Sequence, residues 1–178
     1  MCKQPVATTA NPVTSTLGHQ AHTVIASPYG PMLAAVCSGA LSGLWFEQQQ
    51  HAPDLSQVPQ DDGQHQALWR EVAAQLNAYA AGDLQHFDLP LHLATGSAFA
   101  QRVWQALLQV PFGATTTYGQ LAAQLGSAPR AVGGAVGRNP ISIIVPCHRV
   151  VGTNGALTGY AGGLHNKTAL LRLEHYFD

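Results

Sequence analysis

Gly137-Arg-Asn-Pro-Ile-Ser-Ile-Ile-Val-Pro-Cys-His-Arg-Val-Val151 decides how the rest of the chain is read. Ile141, Ile143, Ile144 and Val145 are β-branched and apolar, which predicts a short buried strand. Pro146 has no backbone donor and ends regular pairing. Cys147 and His148 thus follow on an irregular segment directly after a rigid one, a common setting for reactive groups. Neighbours in sequence do not face each other in a strand or a helix, so direct thiol–imidazole contact is not expected. A water between them, or a sharp kink after Pro146, satisfies the geometry. An imidazole that takes the proton favours thiolate, the nucleophilic form of cysteine. A buried structural Cys beside a satisfied core His is the plain alternative.

Upstream, Thr95-Gly-Ser-Ala marks a boundary and a helix start, with Phe99, Val103, Leu107 and Val110 on one face and Trp104 packing beside it. Pro111-Phe-Gly113 ends that helix. Tyr118 to Leu125 predicts a second helix, stopped by Gly126. Ser127-Ala-Pro129 opens a third, with Pro in the first turn where its missing donor costs nothing. Two short helices joined by a Gly-containing turn read as a helix-turn-helix. The later helix is built of small residues, and Gly133, Gly134 and Gly137 each cost up to about 1 kcal/mol relative to Ala. Such a helix suits close approach of something bulky; packing on another helix is the alternative. Small residues carrying one Arg, Arg130, also suit a DNA minor groove. Downstream, Asn166 to about Phe177 predicts a last helix in which Glu174 shares a face with Leu170, Leu171 and Phe177. A carboxylate there is costly unless paired.

The first half is plainer. Residues 1–21 are rich in Thr, Ser, Pro and Ala and read as a flexible tail. His22–Ser27, Met32–Cys37 and Leu41–Phe46 are strand-like. Residues 47–64 form a loop, Leu68 to Ala81 a helix with Leu68, Val72, Leu76 and Tyr79 on one face, and Phe87–Leu93 another strand. The fold class is α/β (α+β): a small sheet-plus-helix domain over 22–92, and a mostly helical domain over 93–178 with a winged-helix-like helix-turn-helix.

The chain has 178 residues and a net charge of −1, which alone argues against a nucleic-acid partner. Its distribution argues the other way. Residues 1–92 carry Lys3 and Arg70 against seven acidic groups, a balance of −5; residues 93–178 carry six basic groups against Glu174 and Asp178, a balance of +4. Any phosphate-facing surface belongs to the second half, with weak, salt-sensitive binding. No apolar run of 18 residues exists, so no membrane span is expected. No signal peptide is evident, and three cysteines (Cys2, Cys37, Cys147) make a disulfide framework unattractive, so a cytoplasmic setting is expected.

Pro146-Cys-His-Arg-Val150, with Gly-Arg-Asn-Pro before it and Gly159-Tyr-Ala-Gly-Gly-Leu164 after it, resembles the O6-alkylguanine-DNA alkyltransferases, the methylated-DNA–protein-cysteine methyltransferases. The likeness runs from about Asp88 to Glu174. It implies suicidal repair: a damaged nucleotide is flipped through the minor groove, and Cys147 takes the alkyl group from O6-alkylguanine in double-stranded DNA. O4-alkylthymine is a possible further substrate. The resemblance implies a Glu174–His148–water–Cys147 relay, Tyr118 as proton donor to the leaving base, and Asn139 bracing the turn before the active segment. It places the base against Tyr118, Cys147, Val150, Tyr160, Ala161 and Gly162, with Lys167 near O6. Arg130 would fill the gap left by the flipped nucleotide. The DNA-facing set is Arg130, Ala131, Gly133, Gly134, Arg138 and Arg149. The segment between Gly126 and Arg130 is about two residues shorter than the family pattern. No cofactor is implied, and a monomer is expected. Some relatives bind a structural zinc, and Cys37 fits one such position, but Ser42 stands where a His would be needed, so no metal is expected.

Two rivals remain from the residues alone. A cysteine hydrolase using Cys147, His148 and Glu174 predicts turnover and needs an oxyanion hole. A non-catalytic helix-turn-helix regulator or damage sensor needs no reactive cysteine.

Overall fold

A three-stranded antiparallel meander opens the structure, a computed structural model that describes residues 19–177. β1 (Ala21–Ser27), β2 (Gly30–Cys37) and β3 (Ala40–Phe46) pair in the order β1-β2-β3. Most of the expected tail lies outside the described residues, but its end does not. His19 is buried, with Nδ1 2.8 Å from Ser42 Oγ, and Gln20 N–H donates to the Val36 carbonyl at 2.8 Å. Ala21 already belongs to β1, so the tail expected over 1–21 stops short of residue 19.

α1 (Gln66–Ala80) buries Val72, Leu76 and Tyr79 as its periodicity predicts, but Trp69 is buried where Leu68 was expected, and Leu68 is only half-buried. The strand expected over Phe87–Leu93 is absent as such. An extended segment there makes one bridge, Leu91 to Leu41, with His92 N–H donating to the Leu41 carbonyl at 2.8 Å. Pro90 cannot donate, which limits the ladder. α2 (Ala98–Leu108) starts at the Ser97 cap and lays Trp104 against the helical half, its Nε1 donating to the Ala135 carbonyl at 2.9 Å.

β4 (Thr116–Thr117) leads into α3 (Tyr118–Leu125), and α4 (Pro129–Gly137) follows after three residues. Thr117 and Gln120 form a capping box on α3, and Gly126 closes it in the left-handed conformation at φ 61°. Pro129 occupies the first turn of α4, as the sequence suggests.

The segment before Cys147 is not a strand. Ile141 makes a single bridge to Leu44, and residues 142–144 form turns, with Ile143 at φ 70°. Burial overrides the β preference here: Ile141 and Ile143 are both fully buried. Pro146 (φ −82°, ψ 63°) kinks the chain into a 3-10 turn over Cys147–Arg149, followed by β5 (Val150–Val151), which pairs parallel with β4. α5 (Leu164–Leu173) is shorter than the expected Asn166–Phe177, and Glu174 is its C-cap, not an interior residue. The apolar core is continuous from Ile25 and Trp69 through Leu107 and Val132 to Leu170. Among the described residues no helix is long and apolar enough to cross a membrane.

Candidate active site

The reactive segment is held from both halves of the chain. Leu44 N–H donates to the Pro140 carbonyl and Ser142 N–H to the Leu44 carbonyl, each at 2.8 Å. Ser142 Oγ also donates to Gln49 Oε1 at 2.8 Å. Asn139 Nδ2 reaches the Val145 carbonyl at 2.8 Å and Cys147 Sγ at 2.9 Å, while its Oδ1 accepts from Ile141 N–H at 3.0 Å. Asn139 therefore braces the turn and donates to the sulfur at once.

Burial raises the Cys147 thiol above its ordinary value; the Asn139 bond, the Lys167 charge and the Tyr160 hydroxyl pull the other way. The Tyr160 hydroxyl is buried close to the sulfur, without a partner of good hydrogen-bond geometry. Its ionisation is pushed well up, first by burial and then by Cys147.

His148 is fully buried. Its Nε2 lies 2.9 Å from Glu174 Oε1, and its Nδ1 has no protein partner. The kink after Pro146 puts Cys147 and His148 on successive positions of the 3-10 turn, with no direct hydrogen bond between sulfur and imidazole. Burial lowers the imidazole's basicity, and Glu174 opposes that. Glu174 itself is 1% exposed yet stays ionised. Burial would raise its carboxyl, but bonds from His148, Arg149 and Tyr79 hold it down at about 2. Arg149 donates through Nε to Oε2 at 3.0 Å and through Nη2 to Oε1 at 2.8 Å, and through Nη1 to the Val110 carbonyl at 2.6 Å.

That bidentate pair corrects one expectation. Arg149 is 6% exposed and turned inward onto Glu174 and the Val110 carbonyl, so it does not belong to a DNA-facing surface. Glu174 thus pairs with His148 and with Arg149 together. Lys167 is fully buried. Its Nζ donates to the carbonyls of Val150 (2.6 Å) and Thr158 (2.9 Å), and burial brings its pKa down to about 8.

A cleft of about 580 Å³ opens in front of the sulfur. Tyr118, Cys147, Tyr160 and Ala161 line it together with Arg130, Gly133 and Gly137 of α4. Val150, Gly162 and Lys167 stand behind this lining, not in it. Gly162 has no room for a side chain: a Cβ there would meet Phe46 at 2.5 Å. The Tyr118 hydroxyl is 3.5 Å from the Gly159 carbonyl, and burial raises its pKa above the ordinary tyrosine value. Gln50 and His51, from the loop after β3, also line the cleft, and Gln50 N–H donates to the Ala161 carbonyl at 2.9 Å. Nothing in their polar local sequence marks them. A larger cleft of about 700 Å³, between α2 and α3, contains no cysteine, histidine or carboxylate.

Arg130, Ala131 and Arg138 are exposed on α4. A Cβ on Gly133 or Gly134 would make only ordinary contacts, at 3.8 and 3.6 Å, and one on Gly137 would meet nothing within 4 Å. Internal packing therefore does not require these glycines. Arg138 faces a neighbouring cleft with His19, Trp45 and Trp104. Among the described residues no group of three or more His, Cys, Asp or Glu side chains is placed to hold a metal; Ser42 is paired with His19, and Cys37 is half-buried.

Comparison with known proteins decides between the rival chemistries. Residues 98–176 match the family model of the 6-O-methylguanine DNA methyltransferase DNA-binding domain. A methylated-DNA–protein-cysteine methyltransferase of Mycobacterium bovis is 48% identical over 152 residues, 84% of this chain and 89% of its own length. This chain is a methylated-DNA–protein-cysteine methyltransferase by family. A relative of the same description from Methanosarcina acetivorans is 45% identical, with 86% of this chain and 97% of its own length aligned. The Mycobacterium tuberculosis OGT crystallised in complex with DNA superposes with a TM-score of 0.76 at 46% identity, over 86% of this chain and 91% of that one. Alkyl transfer is the chemistry of this family, and the hydrolase and sensor readings lose their footing.

Proposed function

We propose that this protein repairs DNA by a single, irreversible transfer of an alkyl group from O6-alkylguanine to Cys147. The observation that carries the reading is a single cleft lined both by Cys147 and by the small-residue helix α4, whose glycines no internal packing requires. A base stacked in a duplex is out of reach of a buried thiol, so the nucleotide must be swung out, at a cost of a few kcal/mol. α4 enters the minor groove, Arg130 takes the vacated place, and Ala131, Gly133 and Gly134 let the backbone approach closely. Arg138, exposed at the end of α4, faces the phosphates.

At rest the thiol is protonated, because burial outweighs its stabilising neighbours. His148 Nδ1, buried and without a protein partner, engages Cys147 through one water, and Glu174 fixes the ring from the other side. The proton passes to the imidazole as sulfur attacks the alkyl carbon, and Asn139 steadies the developing thiolate. Tyr118 protonates or hydrogen-bonds the departing guanine. Lys167 acts indirectly, fixing the Val150 and Thr158 carbonyls behind the cleft. The product is a thioether, which nothing in the site is equipped to hydrolyse, so each molecule acts once. The protein works as a monomer in the cytoplasm, and residues 93–178 carry the DNA-binding and acceptor functions on a scaffold of residues 22–92.

The test is direct. After incubation with a duplex carrying O6-methylguanine, the peptide containing Cys147 gains one methyl per protein, and Cys147→Ser gains none while still binding the duplex. Repeated turnover, or a methyl on Cys37, would overturn the proposal.

A further inference from the structure

Glu174 receives one hydrogen bond from outside the matched region 98–176. Tyr79, on α1, is fully buried, and its hydroxyl donates to Glu174 Oε1 at 2.5 Å and lies 3.5 Å from His148 Nε2. Imidazole and phenol thus draw on the same carboxylate oxygen, while Oε2 is left to Arg149 Nε at 3.0 Å and Gly113 N–H at 3.4 Å. Phe87 and Phe112 hold the Tyr79 ring, with centroids 5.1 and 6.0 Å away. A phenylalanine would fill that space equally well, so packing does not explain the hydroxyl.

We propose that Tyr79 is a positioning residue of the alkyl-transfer site, setting how much negative charge Glu174 presents to His148 and, through it, to Cys147. The inference rests on the relay reading given above. A donor on Oε1 draws charge from the carboxylate and weakens its hold on the Nε2 proton; the imidazole is then a weaker base at Nδ1. Removing the hydroxyl makes the pair more basic, and a more acidic phenol makes it less so. The groups facing the pair come from several elements: Arg149 beside His148 in the 3-10 turn, Tyr29 from the β1–β2 turn, and Lys167 from α5. Cys147 and Tyr160 lie on the sulfur's side, Tyr160 interacting with Tyr79 and Tyr29. Burial and Glu174 keep the Tyr79 phenol protonated at any working pH.

The full chain is compared with Tyr79→Phe and with a chain carrying 3-fluorotyrosine at position 79 alone. Two rates are followed against pH: carbamidomethylation of the Cys147 peptide by iodoacetamide, and single-turnover methyl transfer from an O6-methylguanine duplex. Because the relay needs the imidazole unprotonated, the expected result is that Tyr79→Phe moves the acid limb of both profiles to higher pH by about half a unit or more, and fluorotyrosine moves it to lower pH. Superposing profiles, or shifts of the same sign, overturn the proposal. Should Tyr79→Phe not fold, the fluorotyrosine chain, which keeps ring and hydroxyl, decides alone by the direction of its shift. Opposed shifts in the iodoacetamide profile with no methyl transferred by any chain would uphold Tyr79 and refute the alkyl-transfer reading.

Discussion

The two walls of the cleft are built on opposite terms. On the Cys147 side the polar groups are tied to one another, the Tyr160 hydroxyl and His148 Nδ1 apart: Asn139 donates to the sulfur and to a carbonyl, and Glu174 takes bonds from His148, Arg149 and Tyr79. On the α4 side no side chain caps the helix start, and glycines stand where side chains would fit. The neighbour α3, with its capping box and left-handed Gly126, shows that the same sequence builds a self-sufficient helix where one is wanted. Rigidity is placed where the bond forms, and bare backbone where the partner enters.

The largest effect that would break this contrast comes from Glu174→Ala. It leaves Arg149 buried without its carboxylate, and the expected loss is about 3–5 kcal/mol of unfolding free energy by urea titration. A loss below about 1 kcal/mol would mean that the rigid wall does not depend on this residue. Acid probes the same group. Its carboxyl is held at about 2 in the fold against 4.5 when free, so its contribution is complete above about 4.5 and disappears as pH falls towards 2. Urea midpoints across that window should drop for the parent chain, less so for Glu174→Gln.

Arg130→Ala sharpens the contrast from the other wall. Transfer from duplex should slow about tenfold or more, since the flipped state loses its filler, while the urea midpoint holds and free O6-benzylguanine reacts as before. Equal slowing on the free base would place Arg130 in the chemistry and blur the two walls. The smallest effect belongs to Thr117→Ala, which removes half of the capping box. It should cost about 1 kcal/mol of stability and leave transfer per folded molecule unchanged.

Glycine and proline punctuation made α3 and α4 readable almost to the residue, because Gly126 and Pro129 act through local backbone geometry. The Ile-rich run before Cys147 was not readable in the same way. Apolar β-branched residues report burial, and burial is what they have, but a bridge and turns deliver it in place of a strand. Arg149 misled for a related reason: a charge in sequence says nothing about the carboxylate that awaits it 25 positions on. Tyr79 was visible only as one apolar position on the α1 face. A buried phenol needs a partner, but nothing local points to a carboxylate 95 residues away.

Asn139 precedes Pro140. Asparagine commonly decays over time by cyclising onto the nitrogen of the next residue, and a proline nitrogen carries no hydrogen for that ring closure. A protein that reacts once and is then finished spends its whole life waiting. The amide that steadies its sulfur is shielded from this form of ageing.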